Sequence, residues 1–417
     1  MYEEMIIAGL DVGNGYTKGI ARTGDGKRTG IDIPSCVAYM LDIHDVKINT
    51  YSEIEKSIQN IYNEADLSIV SQAISDTRRI LLGRRAIRSK VTPVEFDVNS
   101  PESKAQDTLS YTLVLGCLAC KALQDYWEAH KTLPMDTHQV AARIAIALPI
   151  NEYKSYQKIY ADAFLNGIHM VTIHNFENPV NIQITIKDVQ VLAEGASAQY
   201  AIDFLGKPLM DSMLDDLRCH GNPLEGITSD DILAAKNTVG IDIGEGTVNF
   251  PIFSNGKFNP DASVTFNKGY GTVLTDALER LNNVGLPFAS RKDLSEFLQQ
   301  TPNALTQKRY NKVNNIIQDA VNAFVIEVGM QFSKILKQTG SFLELVYVYG
   351  GGAGAIKDAL YPVLINEAAR FGGEDMAYPI LYLDSRYSRV LNREGLFLVA
   401  DAEAKAAIQT TNKEEKE

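Results

Sequence analysis

Cysteine is scarce, because the chain of 417 residues contains only four, at positions 36, 117, 120 and 219. Four cysteines cannot staple a chain of this length, and no signal peptide precedes them, so we expect a cytoplasmic protein. Cys117-x-x-Cys120 lies within a predicted helix, and no second pair follows at the distance that zinc sites require. We therefore interpret both residues as core cysteines rather than metal ligands.

Long hydrophobic runs are also lacking. No apolar stretch approaches the ~18 residues that a membrane-spanning helix needs, and neither end carries an evident amphipathic anchor. We therefore expect no membrane partner. The hydrophobic fraction of 45% and the charged fraction of 22% are those of an ordinary globular protein. A chain of this length can bury a substantial core without disulfides or structural metals.

Positive charge is in deficit, with a formal net charge of −12. Phosphates would be repelled by such a chain, so we expect no direct binding to nucleic acid. One basic cluster stands out, and we interpret it as the solvated face of a helix–turn segment. Its members are Arg78, Arg79, Arg84, Arg85, Arg88 and Lys90.

The familiar phosphate-binding motifs of other folds are missing. A Walker A sequence fails at Gly26-Lys27, because the upstream position is Ala21 and the next residue is Arg28. No G-x-G-x-x-G pattern follows the first predicted strand. The chain also shows no nucleophile elbow or catalytic triad. These absences exclude the Walker A loop, the dinucleotide-binding turn and nucleophilic catalysis of the familiar kinds.

A repeated pattern is present instead. Residues 8–16 and 239–247 share the order apolar, Gly, apolar, Asp, apolar, Gly, x, Gly, with the two aspartates 231 positions apart, at Asp11 and Asp242. A second strand is predicted after each copy, over 17–22 and 248–253, so each copy forms a hairpin. A period of this size indicates a duplicated domain rather than a solenoid repeat.

The repeated residues suit a bound triphosphate. Glycines allow the backbone to approach a ligand closely and to point amide groups at phosphate oxygens. An aspartate beside them can hold Mg²⁺ through water. Lys18 could add a direct positive charge. A third turn, Gly350-Gly351-Gly352, lies between a buried strand and a helix, where it could admit a nucleobase or ribose.

Hydrophobic periodicity predicts an α/β chain. The predicted helices span residues 106–130, 152–166, 194–204, 271–286, 291–299, 306–338 and 392–407, and one begins near Ala355. Further strands are predicted over residues 141–149, 171–174, 180–186 and 343–349, and residues 80–86 are a basic, strand-like stretch. Residues 205–238, polar and rich in glycine and proline, are interpreted as an insertion or connection.

Together with two predicted connecting segments, these turns resemble the superfamily of actins, sugar kinases and heat-shock chaperone ATPases. The segments that carry the resemblance are residues 11–18, 191–196, 242–247, 349–354 and 392–396. It implies the actin-like (ribonuclease H-like) fold, with duplicated domains forming two lobes around a nucleotide cleft. On that basis lobe I is 1–204, with subdomain IA at 1–33 and 106–204 and a small insert, IB, at 34–105. Lobe II is 239–407, with IIA at 239–270 and 341–407 and IIB at 271–340, and 408–417 is a disordered tail.

Within the superfamily the sequence is most similar to the plasmid-segregation actins, the ParM group, and their archaeal relatives. The similarity rests on residues 147–150 (Ala-Leu-Pro-Ile), on Glu194-Gly195, and on Gly83-x-x-Ala86. It implies an ATPase that polymerises with itself, bound to plasmid DNA through a DNA-binding adaptor protein at the centromere. The spacing of 48 residues from Glu194 to Asp242 departs from the family pattern, because residues 205–238 are inserted there.

The resemblance also implies roles for individual residues, with ATP or ADP and Mg²⁺ as the ligands. Glu194 would orient the attacking water, and Asp11 and Asp242 would hold Mg²⁺ through water. The nucleotide-binding residues would be Gly13, Asn14, Gly15, Tyr16, Thr17, Lys18, Gly244, Glu245, Gly246, Thr247, Gly350, Gly351, Gly352 and Ala353.

Three other functions share these elements. A small-molecule kinase or a monomeric ATPase of the same fold would turn over without assembly. A chaperone ATPase would need a client-binding domain, and only about twenty residues follow the second connecting segment. A cell-shape actin would need a membrane anchor.

Overall fold

The structure, a computed structural model, divides into two units. Unit 1 comprises Met1–Ala201 and Asn392–Glu417, and unit 2 comprises Ile202–Leu391. The described residues are 4–24, 26–40, 48–97, 102–219, 226–339, 342–372 and 378–414, without the side chains of 216–219, 292, 372, 385 and 408–414. Each unit contains one copy of the repeated aspartate–glycine pattern.

Unit 1 is built on a ten-stranded sheet. Its strands are β1 (Glu4–Val12), β2 (Tyr16–Thr23), β3 (Thr29–Pro34), β4 (Cys36–Tyr39), β5 (Asp66–Val70), β6 (Ile80–Leu82), β7 (Val94–Glu95), β8 (His138–Leu148), β9 (His169–Ile173) and β10 (Val180–Ala193). They pair in the order β3-β2-β1-β8-β10-β9-β5-β6-β4-β7. β1 is antiparallel to β2 and parallel to β8, which is parallel to β10. The carboxyl ends of these three parallel strands therefore meet at one edge of the sheet.

Unit 2 is built on a seven-stranded sheet with the same central arrangement. Its strands are β11 (Thr238–Ile243), β12 (Val248–Phe250), β13 (Ile252–Ser254), β14 (Lys257–Phe258), β15 (Val264–Phe266), β16 (Leu345–Tyr349) and β17 (Ile380–Tyr382). β11 is antiparallel to β12 and β13 and parallel to β16, which is parallel to β17. The predicted strand over 248–253 is broken at Pro251, because proline has no amide hydrogen to donate to a ladder.

Thirteen helices are described. They are α1 (Tyr51–Gln59), α2 (Ile61–Glu64), α3 (Arg84–Arg88), α4 (Thr108–His130), α5 (Ile150–Leu165), α6 (Ala196–Cys219), α7 (Ser229–Ala234), α8 (Tyr270–Asn283), α9 (Arg291–Leu298), α10 (Gln307–Thr339), α11 (Ala353–Gly372), α12 (Ser385–Ser388) and α13 (Leu391–Glu414). Among the described residues, none of them is long and apolar enough to cross a membrane.

The central strands of unit 1 are covered on both faces. Even-numbered residues of β1, such as Ile6 and Leu10, join a core that includes most of α4, whereas Ile7 joins a second core with Phe397 of α13. The alternation follows from the two-residue period of a strand. At Gly9 a Cβ atom would fall on the backbone of α13 at Phe397, so only glycine allows this close packing.

The predicted core cysteines are confirmed, because Cys117 and Cys120 are both fully buried in α4. This helix is apolar on nearly every side. Asp107 caps its first turn, because the Asp107 carboxylate accepts a hydrogen bond from the Leu109 amide at 2.8 Å. Such a cap satisfies an amide that has no partner within the helix.

The strands of the predicted insert at 34–105 extend the sheet of unit 1 beyond β9. The strand predicted over 80–86 was too long: β6 ends at Leu82, and α3 begins at Arg84. Gly83 separates them with a φ of 60°, a conformation that glycine adopts without strain.

The basic cluster of residues 78–90 was interpreted as solvated, and this is wrong for Arg79. Its guanidinium donates to both oxygens of buried Asp66, at 2.6 and 2.9 Å. Arg78 pairs with Asp76, and Arg88 pairs with Glu64. Much of the positive charge in this segment is therefore matched by carboxylates of the same unit.

The hydrophobic core of unit 2 lies between its sheet and α8, α10 and α11. Val239, Ile241 and Ile243 of β11 all face it, together with Val346 and Val348 of β16. The alternation on β11 again places every second side chain on this face.

Two segments differ from the sequence-based expectation. The predicted connection over 205–238 is largely helical, because α6 continues to Cys219 and α7 follows. Gly206, with φ 58° and ψ −142°, interrupts α6, and Pro208 stands in the first turn after it, where a missing amide is tolerated. The final helix, assigned to lobe II, belongs to unit 1 and extends to Glu414, which includes most of the expected disordered tail. Residues 415–417 lie outside the described residues.

The strand predicted over 180–186 was too short, because β10 continues to Ala193. The other predicted helices and strands are confirmed to within a few residues, including α4, α5, α8, α9, α10 and β16. The turn predicted at residues 24–26 is only partly described, since residue 25 lies outside the described set.

Candidate functional site

The turn that follows β1, at residues 13–15, is closed by its own backbone. It is hereafter called phosphate turn one, after the ligand that the sequence predicts for it. The Gly13 amide donates to the Tyr16 carbonyl at 3.1 Å, and the Gly15 carbonyl accepts from the Ser35 amide at 3.0 Å. Thr17 is fully buried, and its hydroxyl shares a 2.9 Å hydrogen bond with the Ser35 hydroxyl. The Thr17 side chain therefore serves the packing of the turn.

A carboxylate cluster adjoins this turn within unit 1. Burial, reinforced by the nearby Glu194 carboxylate, raises the pKa of Asp11 to about 6, against the opposing effects of Lys18 and Lys104. Lys18 lies directly across the hairpin from Asp11 in the strand register. Asp11 therefore takes up a proton at a higher pH than an ordinary aspartate does, mainly because it is buried.

Lys104 is a member of this cluster that the sequence analysis missed. Its ammonium donates to a Glu194 carboxylate oxygen at 2.6 Å and to the Val12 carbonyl at 2.8 Å. Burial disfavours the charged form, but the carboxylates of Glu194, Asp11 and Glu152 together raise the pKa of Lys104 above its ordinary value. The lysine is therefore a buried cation held by carboxylates.

The turn that follows β11, at residues 244–247 and hereafter phosphate turn two, repeats the closing hydrogen bond of the first. The Gly244 amide donates to the Thr247 carbonyl at 2.9 Å. Asp242 lies across the hairpin from Asn249, as Asp11 lies across from Lys18. The repeated sequence pattern therefore folds into the same hydrogen-bonded turn twice.

Glycines at the start of α8 support phosphate turn two from behind. The Tyr270 amide donates to the Gly244 carbonyl at 3.0 Å, and the Gly271 amide donates to the Glu245 carbonyl at 2.8 Å. A Cβ atom at Gly269 would fall on the Glu245 carbonyl. The sequence analysis missed this Gly-Tyr-Gly segment, which could have been found by searching every predicted helix start for glycine pairs.

The glycine run after β16, Gly350 to Gly352, packs against Asp242, the aspartate before phosphate turn two. Gly352 donates its amide to the Ile243 carbonyl at 2.8 Å. Gly350 has a φ of 102°, and a Cβ atom there would lie 2.5 Å from a carboxylate oxygen of Asp242. Asp242 itself is only 5% exposed. The second aspartate and the glycine run are therefore one structural cluster of unit 2.

Comparison with protein families identifies both halves of the chain. Residues 9–196 match the model of the N-terminal domain of actin-like proteins. Residues 240–361 match the C-terminal model of the archaeal, MreB-like actin homologues.

The chain belongs to the actin-like superfamily.

Solved structures share this actin-like fold at low sequence identity. The actin-like protein Alp7A aligns over 99% of this chain and 100% of its own, with 18% identity and a TM-score of 0.65. ParM of Bacillus thuringiensis with ADP aligns over 96% and 99%, with 16% identity and a TM-score of 0.58. The archaeal actin homologue Ta0583 aligns over 96% and 99%, with 15% identity and a TM-score of 0.57. A search of curated protein sequences found no match.

The predicted site residues of this actin-like chain fall into one group in each unit. Asp11, phosphate turn one and Glu194 lie in unit 1, where Lys104 joins them. Asp242, phosphate turn two and the glycine run lie in unit 2. Ala353, which follows the glycine run, is buried, and its carbonyl accepts a hydrogen bond from the Tyr382 hydroxyl at 2.5 Å.

The chemistry of the donors is compatible with Mg²⁺. The predicted ligands, Asp11 and Asp242, are carboxylates, and hard oxygen donors of this kind are what Mg²⁺ prefers. Among the described residues, no group of three or more His, Cys, Asp or Glu side chains forms a ready-made metal site. In nucleotide sites, one or two carboxylates with waters and phosphate oxygens hold the ion.

Proposed function

We propose that this actin-like chain binds ATP with Mg²⁺, hydrolyses it to ADP and phosphate, and polymerises into a cytoplasmic filament. The observation that carries the proposal is the duplicated turn, in which the same backbone hydrogen bond closes a glycine loop directly after Asp11 and after Asp242. Each loop presents amides and an acidic side chain of the kind that suits phosphate oxygens and their Mg²⁺. Structures of ParM with ADP, AMPPNP and ATP support the choice of nucleotide.

The chain's own residues would act mainly by positioning and by stabilising charge, as in other phosphoryl transfers. Amides of the two phosphate turns donate to phosphate oxygens. Glu194 accepts a hydrogen bond from the attacking water and orients it toward the terminal phosphate. Asp11 and Asp242 would hold Mg²⁺ through water, and the ion, when bound, neutralises charge on the phosphate oxygens.

Hydrolysis would remove the terminal phosphate as a ligand of the chain. Subunit contacts in a polymer could then depend on the nucleotide. The plasmid-segregation role, with an adaptor protein between filament and DNA, is the finer part of the proposal. It is supported by the similarity of residues 83–86, 147–150 and 194–195 to the plasmid-segregation actins.

The decisive experiment follows right-angle light scattering and phosphate release together after Mg–ATP is added to the purified protein. Scattering that rises and then decays as phosphate accumulates is the expected result. The Glu194→Gln variant keeps the backbone amides of both phosphate turns and lacks the Glu194 carboxylate. Its polymers are expected to scatter light for longer, and it is expected to release phosphate slowly.

Phosphate release without any scattering over a wide range of protein concentration would refute the filament. It would favour a monomeric ATPase, and a rate that rises only with an added small-molecule acceptor would favour a kinase. Absence of both nucleotide binding and phosphate release would refute the ATPase itself.

A further inference from the structure

Ser103 and Lys104, which lie shortly before α4, connect the carboxyl ends of the parallel strands β1, β8 and β10 in unit 1. The Lys104 ammonium bonds the Val12 carbonyl at the end of β1 and the Glu194 carboxylate just after β10. The Lys104 amide and the Ser103 hydroxyl donate to one oxygen of Glu152, at 2.9 and 2.5 Å. Glu152 lies in the first turn of α5, which directly follows β8.

The segment that carries Lys104 is itself fixed. The Ala105 carbonyl accepts a hydrogen bond from the Tyr111 hydroxyl, and the Ala105 amide donates to the Ser103 hydroxyl at 3.1 Å. The Lys104 side chain is 6% exposed. A buried cation is stable only with such partners, so its ammonium has a single well-defined position.

We propose that Lys104 is a positioning residue for ATP hydrolysis, which holds the Glu194 carboxylate in register with phosphate turn one. This inference rests on the proposed ATPase function. The glutamate side chain has three rotatable bonds, and it would otherwise be repelled by the Asp11 carboxylate. An ammonium bonded to both Glu194 and Val12 fixes the distance between the water-orienting oxygen and the start of the phosphate-binding turn.

The test is a double-mutant cycle between Lys104→Met and Glu194→Gln in single-turnover hydrolysis. Misplacement of a catalytic group by about 1 Å can cost on the order of 100-fold in rate. Lys104→Met is therefore expected to slow hydrolysis by roughly 100-fold. In the Glu194→Gln background the same substitution is expected to slow it by less than about twofold, because the group that it positions is already lost. Dissociation constants for ATP and ADP should change by the same factor.

Lys121→Met is the matched control. Lys121 is also a buried lysine of unit 1, with a 4% exposed side chain 2.6 Å from Asp125 on the same helix. We expect its loss to lower the unfolding temperature and to leave the hydrolysis rate unchanged. Should Lys104→Met fail to fold, Lys104→Gln, which keeps a donor without the charge, takes its place with the same expected direction.

Wild-type hydrolysis by Lys104→Met, or full additivity with Glu194→Gln, would overturn the inference. It would also be overturned if ATP affinity fell far more than ADP affinity, since Lys104 would then contact the terminal phosphate itself.

If the wild-type chain hydrolyses no ATP, the proposed function fails. Whether Lys104 holds Glu194 can still be tested without nucleotide, by measuring stability. Chemical unfolding of the two single variants and the double variant should reveal coupling of at least about tenfold in the unfolding constant. Additive effects would show that Lys104 does not hold Glu194.

Discussion

Phosphate turns one and two share their backbone and differ in what surrounds them. In unit 1, Asp11 lies among charged groups, with Lys18 across the hairpin and the Lys104–Glu194 pair beside it. In unit 2, the position of Lys18 is taken by Asn249, a buried amide that accepts from the Thr265 hydroxyl at 2.9 Å.

Asp11 and Asp242 also differ in their neighbours, because charged groups surround Asp11 and a glycine turn packs against Asp242. Asp242 is packed against the glycine run, where even a methyl group at Gly350 would collide with it. Burial, with the Asp242 carboxylate adding to it, also raises the pKa of Tyr349 well above its ordinary value. Duplication thus supplies two turns with the same closing hydrogen bond. Residues outside the repeat surround Asp11 with charged groups in unit 1 and pack Asp242 against glycines in unit 2.

The largest expected effect on hydrolysis comes from changing Glu194, the carboxylate beside Asp11 in unit 1. Glu194→Gln removes the carboxylate that we propose orients the attacking water, so we expect hydrolysis to fall by about 10²–10⁴-fold with nucleotide still bound. Phosphate release and polymer lifetime are the measurements. The matched control is Glu327→Gln in unit 2, which also removes a lysine-paired carboxylate, since Lys268 bonds Glu327 at 2.7 Å. Equal losses in the two variants would show that hydrolysis does not depend on unit 1 in particular.

The next effect concerns the aspartate of unit 2. Asp242→Asn keeps the shape of the side chain and removes its charge, so binding of Mg–ADP should weaken about 10–100-fold. Binding of ADP without Mg²⁺ should change little. Titration of each variant with and without Mg²⁺ measures this difference. Asp276→Asn, on the exposed i,i+4 pair with Arg280, serves as the control. Unchanged Mg²⁺ dependence in Asp242→Asn would contradict the metal role.

A smaller effect is expected from the glycine run. Gly350→Ala adds a Cβ atom where φ is 102° and Asp242 is 2.5 Å away, so unit 2 should lose about 1–3 kcal/mol of stability. Gly30→Ala in unit 1 is the matched control, because nothing lies within 4 Å of its Cβ position. Thermal unfolding of both variants is the measurement. A Gly350→Ala midpoint at or above that of Gly30→Ala would show that the run tolerates a side chain.

The smallest change is a difference in thiol labelling that reports on unit 1. Burial raises the pKa of Cys117 to about 12, so this thiol is protonated and unreactive at neutral pH while unit 1 is folded. In a Cys219→Ser background, we expect no labelling of Cys36, Cys117 or Cys120 by a thiol reagent within minutes, and full labelling in denaturant. Rapid labelling of Cys117 in the native protein would mean that the core around α4 opens readily.

Much of the fold could be predicted from local patterns, and the exceptions have physical causes. The helix over 106–130 and the strand over 343–349 were predicted because their apolar residues recur with the right period. The insertion or connection predicted over 205–238 rests on a polar composition with glycines and prolines, among them Gly206 and Pro208. In fact one residue with positive φ merely separates two helical stretches. The predicted strand over 80–86 is longer than β6, which ends at Leu82, because the pattern of apolar residues does not show that Gly83 has a positive φ.

The candidate site could be predicted in part for the same reason. Asp11 and Asp242 each stand inside a short repeated pattern, and the turn that follows each aspartate is closed by hydrogen bonds between near neighbours in sequence. Lys104 stands in no such pattern, since its partner Glu194 is 90 residues away. Predictions of nucleotide and metal contacts at these turns stay predictions.

The sequence by itself determined the strands, the duplicated glycine turns and the identity of the acidic residues, because short-range periodicity and backbone sterics decide these features. Only the tertiary structure decided that the Lys104 ammonium lies between Val12 and Glu194, and that α13 groups with unit 1. These contacts depend on the order in which β1, β8 and β10 pair, and on the segments that come to lie at their carboxyl ends. A local pattern carries no record of that order, because sheet pairing joins residues that are far apart along the chain.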